Sequence, residues 1–432
     1  MTSERKAGDR PTSRPRPREA YVWIWLPGST KPVVAGRLAR EGDLHVFNYG
    51  RSYLERYNAI PIYLPELPLQ RGGLVPQAPL DMAGALRDGS PDAWGRRVII
   101  NRLTGLKGVS AGEVEFDELT YMLNSGSDRI GALDFQASPD RYEPREAENA
   151  TLEELLDAAE RVDRGEPIPP ALDKALFHGS SIGGARPKAL IADGEDKFIA
   201  KFSATNDTYA IVKAEYVAMR LADVAAGLNV APVRLVKASG KDVLLVKRFD
   251  RTRTEEGWTR RAMVSALTMF GLSEMQARYA SYRDLAEIIR TRFTQPKKTL
   301  RELFGRMVFN VLSGNTDDHA RNHAAFWDGA SLSLTPAYDI CPQPRTGREA
   351  NQAMLIGGED RRSRLETCRA EASAFLLSDD DARLIIDAQI GGITDSWGEV
   401  CDEAQLSTVD RAFLWERQFL NKFAFDGWAG RS

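Results

Sequence analysis

The stretch Asn315-Thr316-Asp317-Asp318-His319-Ala320-Arg321-Asn322 sets an aspartate five residues before an asparagine, and another acidic residue, Asp339, follows 22 positions after Asp317. These residue types at this spacing suit the transfer of a phosphoryl group from ATP. That reaction needs a carboxylate to orient the attacking hydroxyl and oxygen ligands to hold magnesium against the phosphates. Asp317 fits the first need, and Asn322 with Asp339 fits the second. The pattern repeats the catalytic-loop spacing of protein kinases. A bare Asp-x4-Asn is short, however, and an acidic surface loop produces it as well, so the elements around it must decide.

Those elements place the acidic groups at the mouth of a cleft. Thr299-Leu300-Arg301-Glu302 has the form of a capping box, predicting a helix whose apolar face carries Leu303, Phe304, Met307, Val308, Val311 and Leu312. Gly314 is its stop signal. Downstream, Ala324 to Trp327, the turn Asp328-Gly329 and Ser331 to Leu334 read as a hairpin that returns the chain to Asp339. Asp317 and Asp339 are then expected to meet across a short sheet.

Phosphate handling is also suggested upstream, in Gly179-Ser180-Ser181-Ile182-Gly183-Gly184-Ala185-Arg186-Pro187-Lys188. Glycines let backbone N–H groups close on phosphate oxygens, and Arg186 and Lys188 add charge. The run is neither a Walker A loop, because Ala185 stands where lysine is required, nor a GxGxxG fingerprint. Phe198 to Phe202 is a short alternating strand bearing Lys201, in the manner of a phosphate-contacting strand lysine; Lys197 is the weaker candidate. A helix from about Thr208 to Ala226 carries Glu215, a possible ion-pair partner for Lys201. A hairpin of Val233 to Val236 and Val243 to Val246 ends in Lys247-Arg248-Phe249-Asp250-Arg251, a strand end that suits adenine.

Composition excludes several other classes. With 432 residues and 43% hydrophobic content the chain can build two or three packed units. No apolar run reaches the length of a membrane span and no signal peptide is evident, which predicts a cytoplasmic protein without membrane contact. Cys341, Cys368 and Cys401 lack zinc-type spacing, and four histidines are too few and scattered for a histidine-based metal site. The net charge of −3 gives no pull toward nucleic acid, and the basic tail, residues 1–20, reads as a solvated arm. Short strands at Tyr21 to Leu26, Val33 to Leu38 and Leu44 to Phe47, with a helix opened by Pro91-Asp92-Ala93-Trp94-Gly95-Arg96-Arg97, make residues 21–150 a mixed module. A capping box at Thr151-Leu152-Glu153-Glu154 opens a further helix, and Pro167, Pro169 and Pro170 follow as a stiff connector.

Taken with "PDAWGRR", "SSIGGARPKAL", "AGLNVAP", "VKRFDR", "NTDDHARN" and "PAYDI", in that order over nearly the whole chain, the sequence resembles the HipA family of serine/threonine protein kinases, the toxins of HipBA-type toxin–antitoxin modules. The resemblance implies an α+β fold: a two-lobed protein-kinase-like core, residues 151–255 and 256–432, behind the N-terminal subdomain. It implies Asp317 as catalytic aspartate and Asn322 and Asp339 as magnesium ligands. It implies a nucleotide set of Ser181, Gly183, Gly184, Ala185, Lys188, Lys201, Lys247, Phe249, His319, Asn322, Tyr338 and Asp339. Autophosphorylation would fall on Ser181 or the adjacent Ser180. It further implies a protein substrate such as an aminoacyl-tRNA synthetase, and a small HipB-like helix-turn-helix antitoxin through which alone DNA is met. Two other readings stand beside it: a small-molecule kinase of the aminoglycoside-phosphotransferase kind, and a catalytically silent binding protein. Under the toxin reading the N-terminal module carries partner contacts, with Tyr53 or Tyr57 as candidates, and residues 171–432 alone bind nucleotide.

Overall fold

The computed structural model describes residues 17–104, 115–145, 150–164, 166, 181, 184, 186–204, 207–345 and 347–429. Most of the expected basic tail, most of the proline connector, and Ser180, Gly183 and Ala185 lie outside them.

The N-terminal module is an antiparallel sheet of β1 (Glu19–Ile24), β2 (Val33–Glu41), β3 (Leu44–Tyr49) and β4 (Leu133–Gln136), ordered β3-β2-β1-β4. Ala20, Val22 and Ile24 alternate onto one buried face of β1, as period-two patterning requires. Gly36 is needed where β3 crosses, since a Cβ there would lie 2.1 Å from the Asn48 carbonyl oxygen. β4 was not expected. It is four residues long and follows a loop, so it has too few positions to show a period. Helices α1 (Ala93–Thr104) and α2 (Glu118–Leu123) complete the module.

The next lobe is a second antiparallel sheet, β5 (Lys188–Asp193), β6 (Asp196–Phe202), β7 (Val233–Ala238) and β8 (Lys241–Lys247), ordered β5-β6-β8-β7. Helix α3 (Leu152–Arg164) covers one face and α4 (Ile211–Val224) the other. The cluster beneath α3 joins Leu155, Leu156, Ala158 and Ala159 to Phe198, Phe202 and Val243, and it also takes in Trp94 and Val98 of α1. The module is therefore packed into this lobe rather than tethered to it. A small hairpin, β9 (Arg251–Thr254) with β10 (Gly257–Arg260), leads onward.

The last lobe is mostly helical. After β11 (Ala262–Ser265) come α5 (Ala266–Phe270), α6 (Tyr282–Arg292), α7 (Pro296–Ser313), the hairpin β12 (Ala324–Trp327) and β13 (Leu332–Leu334), and the long α8 (Asp379–Glu403). The hairpin lies where its sequence signals put it, with β11 added as a third strand in the order β11-β12-β13. Helix α7 begins three residues before the expected capping box. Pro296, pre-organised for a first turn, starts it, while Thr299 is buried inside the helix and Glu302 bonds Arg306 and the Asn229 N–H. A Thr-x-x-Glu pair also occurs within a helix, where i and i+3 share a face.

Candidate active site

Helix α7 delivers the acidic loop and Gly314 ends the helix. Gly314 has φ +69°, and a Cβ on it would lie 2.7 Å from the Gln418 carbonyl oxygen, so the stop requires glycine. Beyond it the loop is held from inside. Asp318 is buried and accepts from the Tyr282 hydroxyl and, at 2.8 Å, from His323 Nε2, while Asn315 bonds Asn310 at 3.0 Å. Asp318 thus holds the loop in place and leaves Asp317 outward. Asp317 is exposed at the rim, near enough to His319 and Asp339 to feel both charges. Partial burial of its carboxyl raises it above the ordinary value, with His319 opposing the rise and Asp339 adding to it. The Asn322 side-chain NH2 donates to the Asp317 carbonyl oxygen at 3.1 Å, which leaves the amide oxygen as the end that can meet a cation.

Behind the rim lies a cavity of about 740 Å³ whose wall contains Ser181, Gly184, Lys188, Lys201, Lys247, Phe249, His319, Asn322, Tyr338 and Asp339. These ten come from five separate parts of the chain, named together on the family resemblance; the fold gathers them around one space. At its polar end Lys201 bonds both Glu215 on α4 and Asp339. Burial alone would lower the Lys201 ammonium, but the two carboxylates outweigh it and keep it charged. Lys201, helped by Lys188, holds the Asp339 carboxyl well below the usual range. Asp339 has φ +60°, a conformation uncommon for aspartate, and residues kept in such regions cluster at functional sites. Lys197 is excluded: its ammonium is committed to Asp128 at 2.6 Å.

At the apolar end, Ile199, Val246, Met263 and Val264 line the cavity. Phe249 joins them, its ring 5.8 Å from Phe326 and 5.7 Å from Tyr338. Such a wall accepts a flat aromatic ligand. Lys247 lies at the edge, paired with Asp196 at 2.7 Å. Two buried polar atoms of cavity-lining residues, Ser181 Oγ and His319 Nδ1, have no hydrogen-bond partner among the described residues, capacity that suits a polar ligand. Among the described residues no three His, Cys, Asp or Glu side chains gather to hold a metal unaided. The pair Asn322 and Asp339 instead suits a cation whose shell is completed by phosphate oxygens.

The module walls one side of the cavity. Asp88, Gly89, Ser90, Asp92, Arg96, Glu118 and residues 130–133 form a large part of its wall. Asp88 accepts from the Ser265 N–H and hydroxyl and from Thr268, at 2.7 to 2.9 Å. Deeper, Asp128 of the module and Asp250 bind Arg248 and Arg251 in one buried network, and the Gly131 N–H donates to Asp250 at 2.8 Å. This gives "VKRFDR" a structural role. It also weighs against the expectation that residues 171–432 suffice for nucleotide, because without the module the cavity loses a wall and buried arginines lose a carboxylate. Tyr53 is corrected: it is fully buried and donates to the Ile60 carbonyl oxygen at 2.8 Å, whereas Tyr57 is 99% exposed.

The family model of the HipA N-terminal domain matches residues 25–136, and that of the HipA-like C-terminal domain matches residues 180–397. The chain belongs to the HipA family. It is a HipA-family kinase with an α+β, kinase-like fold. Y4mE of Sinorhizobium fredii, which is named as a kinase, is 26% identical over 344 residues, covering 70% of this chain and 72% of that protein. The serine/threonine-protein kinase toxin HipA of Shewanella oneidensis is 26% identical over 184 residues, 37% of this chain and 42% of its own length. A chain of the solved Shewanella oneidensis complex of HipA, HipB and operator DNA shares the fold, with a TM-score of 0.64 at 19% identity, covering 94% of this chain and 99% of that one.

Within this HipA-family site, sequence reasoning named the groups that lie on a recognisable loop or strand. It missed Asp88, Asp92 and Glu118. Each stands far along the chain from residues it meets, and a lone acidic residue carries no local signal of its destination.

Proposed function

We propose that this chain transfers the γ-phosphate of ATP to a serine or threonine of a protein, with magnesium, and that it acts in the cytoplasm as the toxin of a toxin–antitoxin pair. One observation carries the reading: Lys201 bridges Glu215 and Asp339 at one end of the cavity, beside Asn322 and His319, with Asp317 at the rim. Lys201 and Lys188 would hold phosphate oxygens, and Phe249 with its apolar neighbours would hold the base. Asn322 and Asp339 would hold magnesium, which when bound neutralises charge on the phosphates. Asp317 would accept the hydrogen bond of the attacking hydroxyl and orient it toward the γ-phosphate. Ser181 is 3% exposed, so its own phosphorylation requires the loop to leave this position; a phosphate there would bring nearly two negative charges into the phosphate end and lower activity. Ser180 stays the alternative acceptor.

The HipA named in the solved complex assembles with HipB on operator DNA. By analogy a helix-turn-helix antitoxin is the partner proposed here, with DNA met only through it. Among the described residues no helix is long and apolar enough to cross a membrane. The substrate class is tested by incubating the purified chain with labelled ATP, magnesium and a panel of aminoacyl-tRNA synthetases, then mapping every phosphosite. Label on a synthetase serine and on the glycine-rich loop is expected. Label passing to aminoglycosides or sugars, with no protein marked, would overturn the reading.

A further inference from the structure

Asp92 has no part in the chemistry described so far, yet it joins two pieces of the site that are otherwise separate. It immediately precedes helix α1 of the module. One of its carboxylate oxygens accepts from the Gly184 N–H at 2.7 Å, and the other accepts from Arg321 Nη1 at 3.1 Å, across 229 positions of chain. Lys188 is close enough to feel the same charge. Two residues on, the Trp94 N–H donates to the Gly184 carbonyl oxygen at 3.1 Å, and the Trp94 indole donates to the Lys188 carbonyl oxygen at 3.2 Å. Both backbone polar groups of Gly184 are thus held by the module. Gly184 itself has φ +109°, a conformation that favours glycine, and the Lys188 ammonium stands where a Cβ would be.

A carboxylate beside a phosphate site could also be a stand-in for phosphate, leaving when nucleotide arrives. The surroundings speak against that. Trp94 is fully buried against α3 and the second sheet, which anchors the backbone two residues from Asp92. The second grip on Gly184 is a backbone hydrogen bond that no charge competition removes.

We propose that Asp92 is a positioning residue for phosphoryl transfer, its carboxylate tying the glycine-rich loop to the catalytic loop and so fixing the roof of the phosphate end relative to Asp317 and Asn322. The inference rests on the kinase reading above. Displacing a positioned group by about 1 Å costs up to roughly a hundredfold in rate. An effect of this kind falls mainly on kcat, because it moves the reacting groups rather than removing a nucleotide contact.

The test uses the full chain with Mg·ATP and follows ADP formation, whatever accepts the phosphate, in wild type, Asp92→Ala, Asp92→Asn, Arg321→Ala and the Asp92→Ala/Arg321→Ala double variant. Asp92→Ala should lower kcat by about 10- to 100-fold while changing KM for ATP by less than about threefold. Asp92→Asn, which keeps an acceptor for Gly184 but loses the ion pair, should lose less. The double variant should be no worse than the poorer single, as expected of two groups acting through one contact. Equal or faster turnover by Asp92→Ala, additive losses, or a loss that vanishes at a temperature where the variant is fully folded would each overturn the proposal. If wild type forms no more ADP than Asp317→Asn, the kinase reading falls and this inference with it; an active wild type with an unaffected Asp92→Ala removes this inference alone.

Discussion

At the scale of residues, the proposed work of Asp317 is separable from the stability of the fold. Its side chain is exposed at the rim, while the neighbouring Asp318 carries the internal hydrogen bonds of the loop. Asp317→Asn should therefore reduce phosphate transfer by about 10²- to 10⁴-fold, the usual worth of a positioned general base, and leave the melting temperature of the ligand-free chain within a few degrees of wild type. Transfer assays and calorimetry on the same preparation check both halves; full activity in the Asn variant would remove Asp317 from the mechanism. The residues legible in the sequence were those whose chemistry is local, such as Asp317 and Asn322 on one loop or Lys201 on one alternating strand. The choice of Lys201 over Lys197 was also available from the strand. Its tertiary partners were not: Lys201 meets Glu215 and Asp339, whereas Lys197 is spent on Asp128. Asp92 could not be found this way, because nothing near it in the chain indicates that its oxygens reach Gly184 and Arg321.

At the scale of elements, the join between the module and the second sheet is made by charge as well as by packing. Arg248, Asp250 and Arg251 are nearly inaccessible, and Asp128 reaches them from the module. Removing one partner of such a set leaves an uncompensated buried charge, which costs about 3 to 5 kcal/mol. Burial alone would raise the Asp250 carboxyl, but Arg248 and Arg251 outweigh it and hold it at about 2; Asp128 is likewise held well below the usual range against its own burial, by Arg248 and Arg251. Carboxyls depressed in the folded state contribute stability that is complete above their unfolded value, near pH 4, and is lost as pH falls toward 2. Melting temperatures measured from pH 7 downward should therefore drop steeply below about pH 4 in wild type. Asp128→Asn should start lower at pH 7 and lose less across that window. Parallel curves would mean that the network contributes nothing. Elements with a long period or a strong stop were readable, as α4 and the end of α7 at Gly314 show. Short strands such as β4 and β11 were not, because four residues that owe their pairing to distant partners carry almost no pattern of their own.

At the scale of the whole molecule, the question is whether the N-terminal module is an attachment to a kinase or part of one. Sequence punctuation favours attachment, since proline-rich chain separates residues 21–150 from the glycine-rich loop. Packing points the other way: Trp94 lies in the cluster under α3, Asp88 bonds the start of α5, Asp128 enters the arginine network, and the module walls one side of the cavity. A linker reports where the chain is free to bend, while burial decides which surfaces are independent, and only the structure shows the second. The last prediction follows. A fragment of residues 171–432 strands Arg248 and Arg251 without Asp128 and exposes the face that Trp94 covers, so it should bind Mg·ATP at least about tenfold more weakly than the full chain, or fail to fold. Calorimetric titration of both proteins decides the matter, with Asp128→Asn in the full chain separating loss of the network from loss of the wall. A fragment that binds Mg·ATP as tightly as the full chain would return the module to the role of a docking appendage, with surfaces such as the exposed Tyr57 as its business.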